Sequence, residues 1–306
     1  MKIAVQTGGI SERIGVDEAY RLISECGFDG ADANLDHVFT PGDVRRNNVP
    51  ELITNYNEKA FFDFFKPWRD SAIRHGVENV QAHSVFPSWM PGEENREYNV
   101  FLLDLQKKMI RAAAFIGCGR LVIHPFFGTY TAPIPKDEEF KLNLDSYLSL
   151  ADTAKEYGVT ICLENMFVAN RGKAYAACCS DLTYACELVD ALNKAAGERR
   201  FGFCLDTGHI LLTGIDIYNA MVKLGDRIEC FHIHDNNGMG DQHLAPYMGV
   251  LDWNRFIEGL RAIHFSKPLS FETFNVWNVV DNEVAPELMK FIAKTGRMFA
   301  RRAGAE

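Results

Sequence analysis

Short apolar, β-branched runs alternate along this chain with longer stretches whose apolar positions recur at helical spacing. The runs with strand character lie near 3–7, 28–32, 79–83, 120–124, 159–164, 201–206, 228–234 and 268–272. The stretches near 16–26, 61–76, 95–117, 140–157, 180–196, 215–224, 252–263 and 284–301 read as helices. Glycines at 27, 76, 117, 119 and 158 stand between a helix and the next strand, where a left-handed cap ends a helix. Strand–helix alternation repeated eight times predicts a parallel sheet, and eight strands is the number that closes a barrel. An open doubly wound sheet usually carries a glycine-rich phosphate loop after its first strand. Here that turn reads Gln6-Thr7-Gly8-Gly9-Ile10, without the required glycine spacing. The expected architecture is a single α/β domain over 1–306, a (β/α)8 TIM barrel. Long loops near 33–60 and 84–95 are expected on its active face.

Composition narrows the picture only modestly. The 306 residues are 47% hydrophobic and 24% charged, an ordinary globular balance. A formal net charge of -9 gives no electrostatic footprint for nucleic acid. No apolar run is long enough to span a membrane, and the start, Met1-Lys2-Ile3-Ala4-Val5, enters a strand without a secretory signal. The eight cysteines are scattered and form no C-x-x-C pair, so they read as reduced thiols in a cytoplasmic protein.

The chemistry gathers at strand ends. His83, His124, Glu164, Asp206, His209, His232, Asp241, His243 and Glu272 all lie at or just beyond the C-terminal ends of expected strands. A barrel collects those ends at one mouth, so residues distant in sequence converge there. Glu164, Asp206 and Glu272 each close an apolar run, and buried carboxylates are rare unless paired or metal-bound. In Cys230-Phe231-His232-Ile233-His234, period two puts both histidines on one face. His232 is expected to ligate a metal, and His234 to support it or face substrate. Imidazole and carboxylate together suit zinc, manganese or related divalent ions. Arg171 and Lys173 could bind an anion, although a solvated loop is the plainer reading. Trp89, Phe126, Phe127, Phe167 and Trp277 follow strand ends and could wall a pocket.

The ordered set Leu163-Glu164-Asn165, Leu205-Asp206-Thr207-Gly208-His209, His232-Ile233-His234-Asp235-Asn236, Asp241-Gln242-His243 and Phe271-Glu272 resembles the sugar phosphate isomerase/epimerase superfamily of xylose isomerase-like barrels. That superfamily also holds endonuclease IV. The resemblance implies one divalent ion held by Glu164, Asp206, His232 and Glu272, with His209 touching substrate. It names zinc or manganese first and admits magnesium or cobalt. The implied reaction moves a proton of a sugar, sugar phosphate or polyol through a metal-stabilised enediolate, with Glu164 and Glu272 as the catalytic carboxylates. His83, His124, His209, His234, Asp241 and His243 are additional candidates for metal or substrate. The partner is then a small carbohydrate or polyol; a homo-oligomer is left open.

Two other chemistries fit the same residues. An inosose-type dehydratase would use the same enediolate to expel a hydroxyl. A zinc phosphodiesterase like endonuclease IV, acting on abasic DNA, would use a trinuclear set whose nine residue types are all present. Against the latter, Asp235-Asn236-Asn237-Gly238 lacks the expected serine and basic residue, and Gln242 replaces an arginine. The loops after the first and third strands offer only Arg13 and Arg96 for a phosphate backbone. A barrel that binds a sugar without turning it over is a third class.

Overall fold

The computed structural model describes residues 1–304. Eight parallel strands form its main sheet: β1 (Ile3–Gln6), β2 (Gly30–Asn34), β3 (Glu78–His83), β4 (Arg120–Val122), β5 (Thr160–Glu164), β8 (Phe201–Asp206), β9 (Ile228–His232) and β10 (Leu269–Phe271). Between β5 and β8 the chain makes a separate antiparallel hairpin, β6 (Phe167–Asn170) and β7 (Lys173–Ala176). β10 pairs with β1, so the sheet curls back on itself. The ring shuts at a narrow seam. Ile233, just past β9, donates to Ser270 O at 2.9 Å and accepts from Glu272 N at 3.0 Å. The fold is the expected TIM barrel. No helix among the described residues is long and apolar enough to cross a membrane.

Alternation along each strand aims the site residues. On β9, Phe231 points outward onto Phe256 and Phe265, with ring centroids 5.5 and 4.8 Å away, so His232 points into the barrel. On β10, Phe271 faces Phe299 at 6.4 Å, which turns the following Glu272 inward. Burying each such ring contributes roughly 1.5–3 kcal/mol, which makes a register slip of one residue costly. Inside the ring, Val122, Cys162, Cys204 and Cys230 form a small apolar floor beneath the inward-pointing ligand types. All eight cysteines are buried free thiols, consistent with a packing role.

Three expectations need correction. β2 runs two residues later than the 28–32 run, from Gly30 to Asn34. The stretch 33–60 is mostly helical, not an open loop: it holds Asp36–Val38, Pro41–Arg46, Glu51–Thr54 and the start of Glu58–His75. Pro50 and Asn57 stand at helix N-caps, and Asn47 and Asn55 at C-caps. Thr40 accepts from Asp43 N at 3.3 Å ahead of Pro41, and Asn57 accepts from Ala60 N at 3.0 Å. The β6–β7 hairpin was not expected. Its turn residues Arg171 and Gly172 both have positive φ, 50° and 74°, as a two-residue hairpin turn requires.

Candidate metal centre

His232 stands in the middle of the site. Its Nδ1 lies 3.3 Å from Glu164 Oε2, 3.5 Å from Glu272 Oε2 and 4.0 Å from Asp206 Oδ2. All four side chains are buried, and β5, β8, β9 and β10 each supply one at or immediately after the strand end. The other expected residues join the same cluster. His83 Nε2 and His124 Nε2 are 3.0 Å apart, and His124 lies 3.4 Å from Glu164. His209 is 3.4 Å from Glu164 and 3.5 Å from Asp241. His243 is 2.9 Å from Asp241 and 3.5 Å from Glu272. His234 Nε2 contacts both oxygens of Asp206, at 3.1 and 3.0 Å. Every candidate named from the strand ends is therefore in one contiguous group.

Backbone carbonyls orient three of the rings. His83 Nδ1 donates to Ser84 O at 2.8 Å, His209 Nδ1 to Asn165 O at 2.8 Å and His243 Nδ1 to Glu272 O at 3.1 Å. Each bond turns Nε2 toward the cluster, the orientation usual behind a metal-ligating imidazole, which would coordinate through Nε2 once that nitrogen gives up its proton. Asp206 is fixed by its own backbone, since Asn165 bonds both its N–H and its carbonyl, at 2.9 and 3.0 Å. Asp206 Oδ1 also caps the helix Thr207–Leu212 by accepting from His209 N at 2.6 Å. Gly208 has no side chain for a concrete reason: a Cβ there would lie 2.0 Å from His234 Cε1.

Several atoms of the group are buried without a hydrogen-bond partner among the described residues: Glu164 Oε2, both ring nitrogens of His232, His234 Nδ1 and Asp241 Oδ1. Buried polar atoms are rarely left unsatisfied. Carboxylate oxygens and imidazole nitrogens left this way, and brought this close, fit a divalent cation. Among the described residues, groups able to hold an ion include His83–His124–Glu164, Glu164–Asp206–His209 and His234–Asp241–His243.

The electrostatics describe a site that demands positive charge. Burial opposes ionisation of Glu164, yet His232 and His124 hold its carboxyl well below the usual range. Burial pushes Glu272 the other way, upward, against the pull of His232 and His243. Burial disfavours the imidazolium of His243, but Glu272 and Asp241 raise it to about 9. His83, buried and beside His124 and His232, falls to about 3.

A cavity of about 800 Å³ opens above the cluster. Phe86 packs against His83 and His124 at 5.1 and 4.9 Å, Phe167 against His209 at 4.9 Å and Phe274 against His243 at 4.2 Å. Trp89, Phe127 and Phe167 line the cavity as expected. Phe126 and Trp277 do not; both are buried, and Phe126 packs on Tyr147 at 5.1 Å. Arg171 and Lys173 are exposed at the hairpin tip, away from the cavity lining, so the solvated reading holds. Asp32 escaped the sequence reading. It is fully buried at the inner face of β2, its Oδ2 lies 3.5 Å from His232 Nε2, and Gln81 donates to it at 2.7 Å. The signal was present, because Asp32 closes the second expected strand just as Glu164 closes the fifth.

The profile of the xylose isomerase-like TIM barrel family matches residues 20–295. The chain belongs to this family. Among curated relatives, the uncharacterised protein y4fM of Sinorhizobium fredii is 30% identical over 176 residues, which is 56% of this chain and 52% of that protein. This chain thus spans about half of that relative's length. A probable endonuclease 4 of Geobacter sp. is 23% identical over 215 residues, covering 65% of this chain and 71% of that one. Among solved structures, the IOLI protein with a bound zinc atom superposes with a TM-score of 0.70 at 18% identity, covering 99% of this chain and 98% of that one. The 3-keto-D-glucoside 4-epimerase YcjR of E. coli also gives 0.70 at 18% identity, with coverage of 97% and 99%. A D-allulose 3-epimerase from Methylomonas sp. gives 0.69 at 18%, with coverage of 99% and 98%. These superpositions show the shared fold.

Proposed function

We propose that this protein is a divalent-metal-dependent isomerase or epimerase acting on a sugar or polyol. Glu164, Asp206, His232 and Glu272 hold the cation, and Glu164 and Glu272 move the proton. The observation that carries this reading is the position of His232 Nδ1, within 4.0 Å of a carboxylate oxygen from each of the other three. The solved neighbours include two sugar epimerases and a protein holding zinc, which supports both the substrate class and the metal. Zinc or manganese suits the mixed nitrogen and oxygen donors.

A bound cation would polarise the substrate carbonyl and stabilise the enediolate left when a neighbouring proton departs. Glu164 and Glu272 enter the site from β5 and β10, on either side of His232. Substrate lying between them meets one carboxylate on each face. One removes the C–H proton and the other returns a proton from the opposite face, which inverts the carbon. Return to the adjacent carbon gives the isomer. His209, beside Glu164, contacts a substrate hydroxyl. Phe86, Phe167 and Phe274 keep water from the edge of the cluster. The same carboxylates serve an inosose-type dehydratase if a hydroxyl leaves instead.

The test is metal analysis of the purified protein followed by a ketose and polyol screen. One cation per chain and conversion of a neutral ketose support the reading; no conversion of any member by the metal-loaded protein overturns it.

A second reading, a zinc phosphodiesterase acting on abasic DNA, draws on the additional His83–His124–Glu164 and His234–Asp241–His243 groups. Three zinc ions per chain and incision of an abasic duplex would favour it. The aromatic walls of the cavity argue the other way. So does its charge: Arg45 is the one lysine or arginine among the described lining residues.

A further inference from the structure

The two walls of the cavity differ in chemistry. Loops after β3, β4 and β5 bring aromatic and apolar side chains, including Trp89, Phe127 and Phe167. The ends of β1 and β2 bring Gln6, Asn34 and Asp36. Gln6 Nε2 donates to Glu272 Oε1 at 2.8 Å, so this polar wall begins at the metal centre. Gly8 keeps the wall continuous, because a Cβ there would lie 2.9 Å from Asn34 Nδ2 and 3.0 Å from Gln6 Oε1. Asp36, in the 3-10 turn Asp36–Val38 after β2, continues this polar wall.

Asp36 is only 8% exposed, and it lines the cavity. Its backbone N–H leans on Asn34 Oδ1 at 3.5 Å, and Asn34 also steadies its carboxylate. Among the described residues no lysine, arginine or histidine forms an ion pair with it. A carboxylate this buried normally has a cationic partner. This one has a cavity instead.

We propose that Asp36 is a substrate-contacting, specificity-determining residue that accepts hydroxyls of an uncharged sugar or polyol and excludes the corresponding phosphate ester. This inference rests on the sugar or polyol reading and narrows it. Two carboxylate oxygens can take two neighbouring hydroxyl donors, and Asn34 and Gln6 offer further partners along the same line. A phosphate entering beside Asp36 would meet like charge from it and from Glu12, which also lines the cavity. His37, 3.4 Å from Glu12, brings no compensating charge at neutral pH, since burial holds its pKa below the ordinary value. Arg45, exposed at the mouth, is a single cation against two acids. Burial, with Glu12 and Glu272 adding repulsion, raises the Asp36 carboxyl to about 7. Both of its forms hydrogen-bond a hydroxyl, while the ionised form repels a dianion.

The experiment pairs free ketoses with their phosphates on metal-loaded protein: D-fructose with D-fructose 6-phosphate, and D-ribulose with D-ribulose 5-phosphate. The readouts are kcat/KM and, by calorimetry, Kd. Wild type is expected to prefer the free sugar. Asp36→Asn, isosteric and uncharged, is expected to shrink that preference at least tenfold, with metal content unchanged. Asp36→Ala is expected to raise KM for the free sugar more than it lowers kcat. A structural role alone would leave the ratio between the paired ligands where it was. A wild-type preference for the phosphate, an Asp36→Asn ratio within twofold of wild type, or binding of no member overturns the inference. Binding of free sugars with the expected ratio but without turnover sinks the enzyme reading and leaves this one standing.

Discussion

His232 Nδ1 and Glu164 Oε2 lie 3.3 Å apart, and neither has a hydrogen-bond partner among the described residues. Two buried polar atoms so placed are incomplete without something between them and the other carboxylates. Adding zinc or manganese to chelator-treated protein should therefore stabilise the fold. At a hundredfold excess over Kd, linkage contributes about 2.7 kcal/mol. At roughly 2 °C or more per kcal/mol, that raises Tm by about 5 °C. His232→Ala should abolish the shift, as read by differential scanning fluorimetry with and without metal.

Glu164→Gln and Glu272→Gln keep side-chain shape and remove a proton acceptor. Each should lower kcat by roughly 10²–10⁴-fold, the usual worth of a positioned acid or base. The metal-free melting temperature should stay within a few degrees of wild type. Full turnover in both variants, measured on whichever sugar the screen identifies, would end the two-carboxylate mechanism.

Asp32 Oδ2 lies 3.5 Å from the far nitrogen of His232, Nε2, on the side away from the Nδ1 that faces the cluster. Asp32→Asn should weaken metal affinity about 10–100-fold, the customary effect of losing a carboxylate behind a ligating histidine. Competition against a chromogenic chelator reads this directly, without reference to activity.

Asp36 also carries a stability signature. Its carboxyl is raised from 3.8 to about 7 in the fold. The folded state holds the proton more tightly than the unfolded chain, so its contribution is fully present below pH 3.8 and is lost as pH rises to about 7. Asp36→Asn should therefore match wild type near pH 4 and exceed it near pH 8. The upper limit is about 4 kcal/mol, at 1.36 kcal/mol per pKa unit. Urea unfolding of both proteins at the two pH values gives the comparison; equal stability at pH 8 would contradict it.

The centre was legible in the sequence because strand alternation writes it plainly. Leu163-Glu164, Leu205-Asp206, Phe231-His232 and Phe271-Glu272 each pair an outward apolar residue with an inward ligand type. Asp32 follows the same rule in Ala31-Asp32, but its partner lies across the barrel, and only the closed ring brings it to His232. The pocket walls were harder to read. Phe126 and Phe127 are neighbours in sequence, yet one packs on Tyr147 and the other lines the cavity. Position just past a strand end does not set the direction of a side chain once alternation stops. Asp36 was hidden for a related reason: its segment reads as a loop, whereas it forms the 3-10 turn Asp36–Val38 ahead of the helices that Thr40 and Asn57 cap.

Among the described residues, the backbone seam between β9 and β10 joins through Ile233 alone, by one bond to Ser270 and one from Glu272. His232 and Glu272 flank that closure on either side. A cation gripping both would act as a clasp on the whole ring, tightening the weakest joint of the sheet in the act of completing the centre. Amide exchange at Ile233 and Glu272 would then slow together, and assembly of the metal centre and closure of the cylinder would be one event.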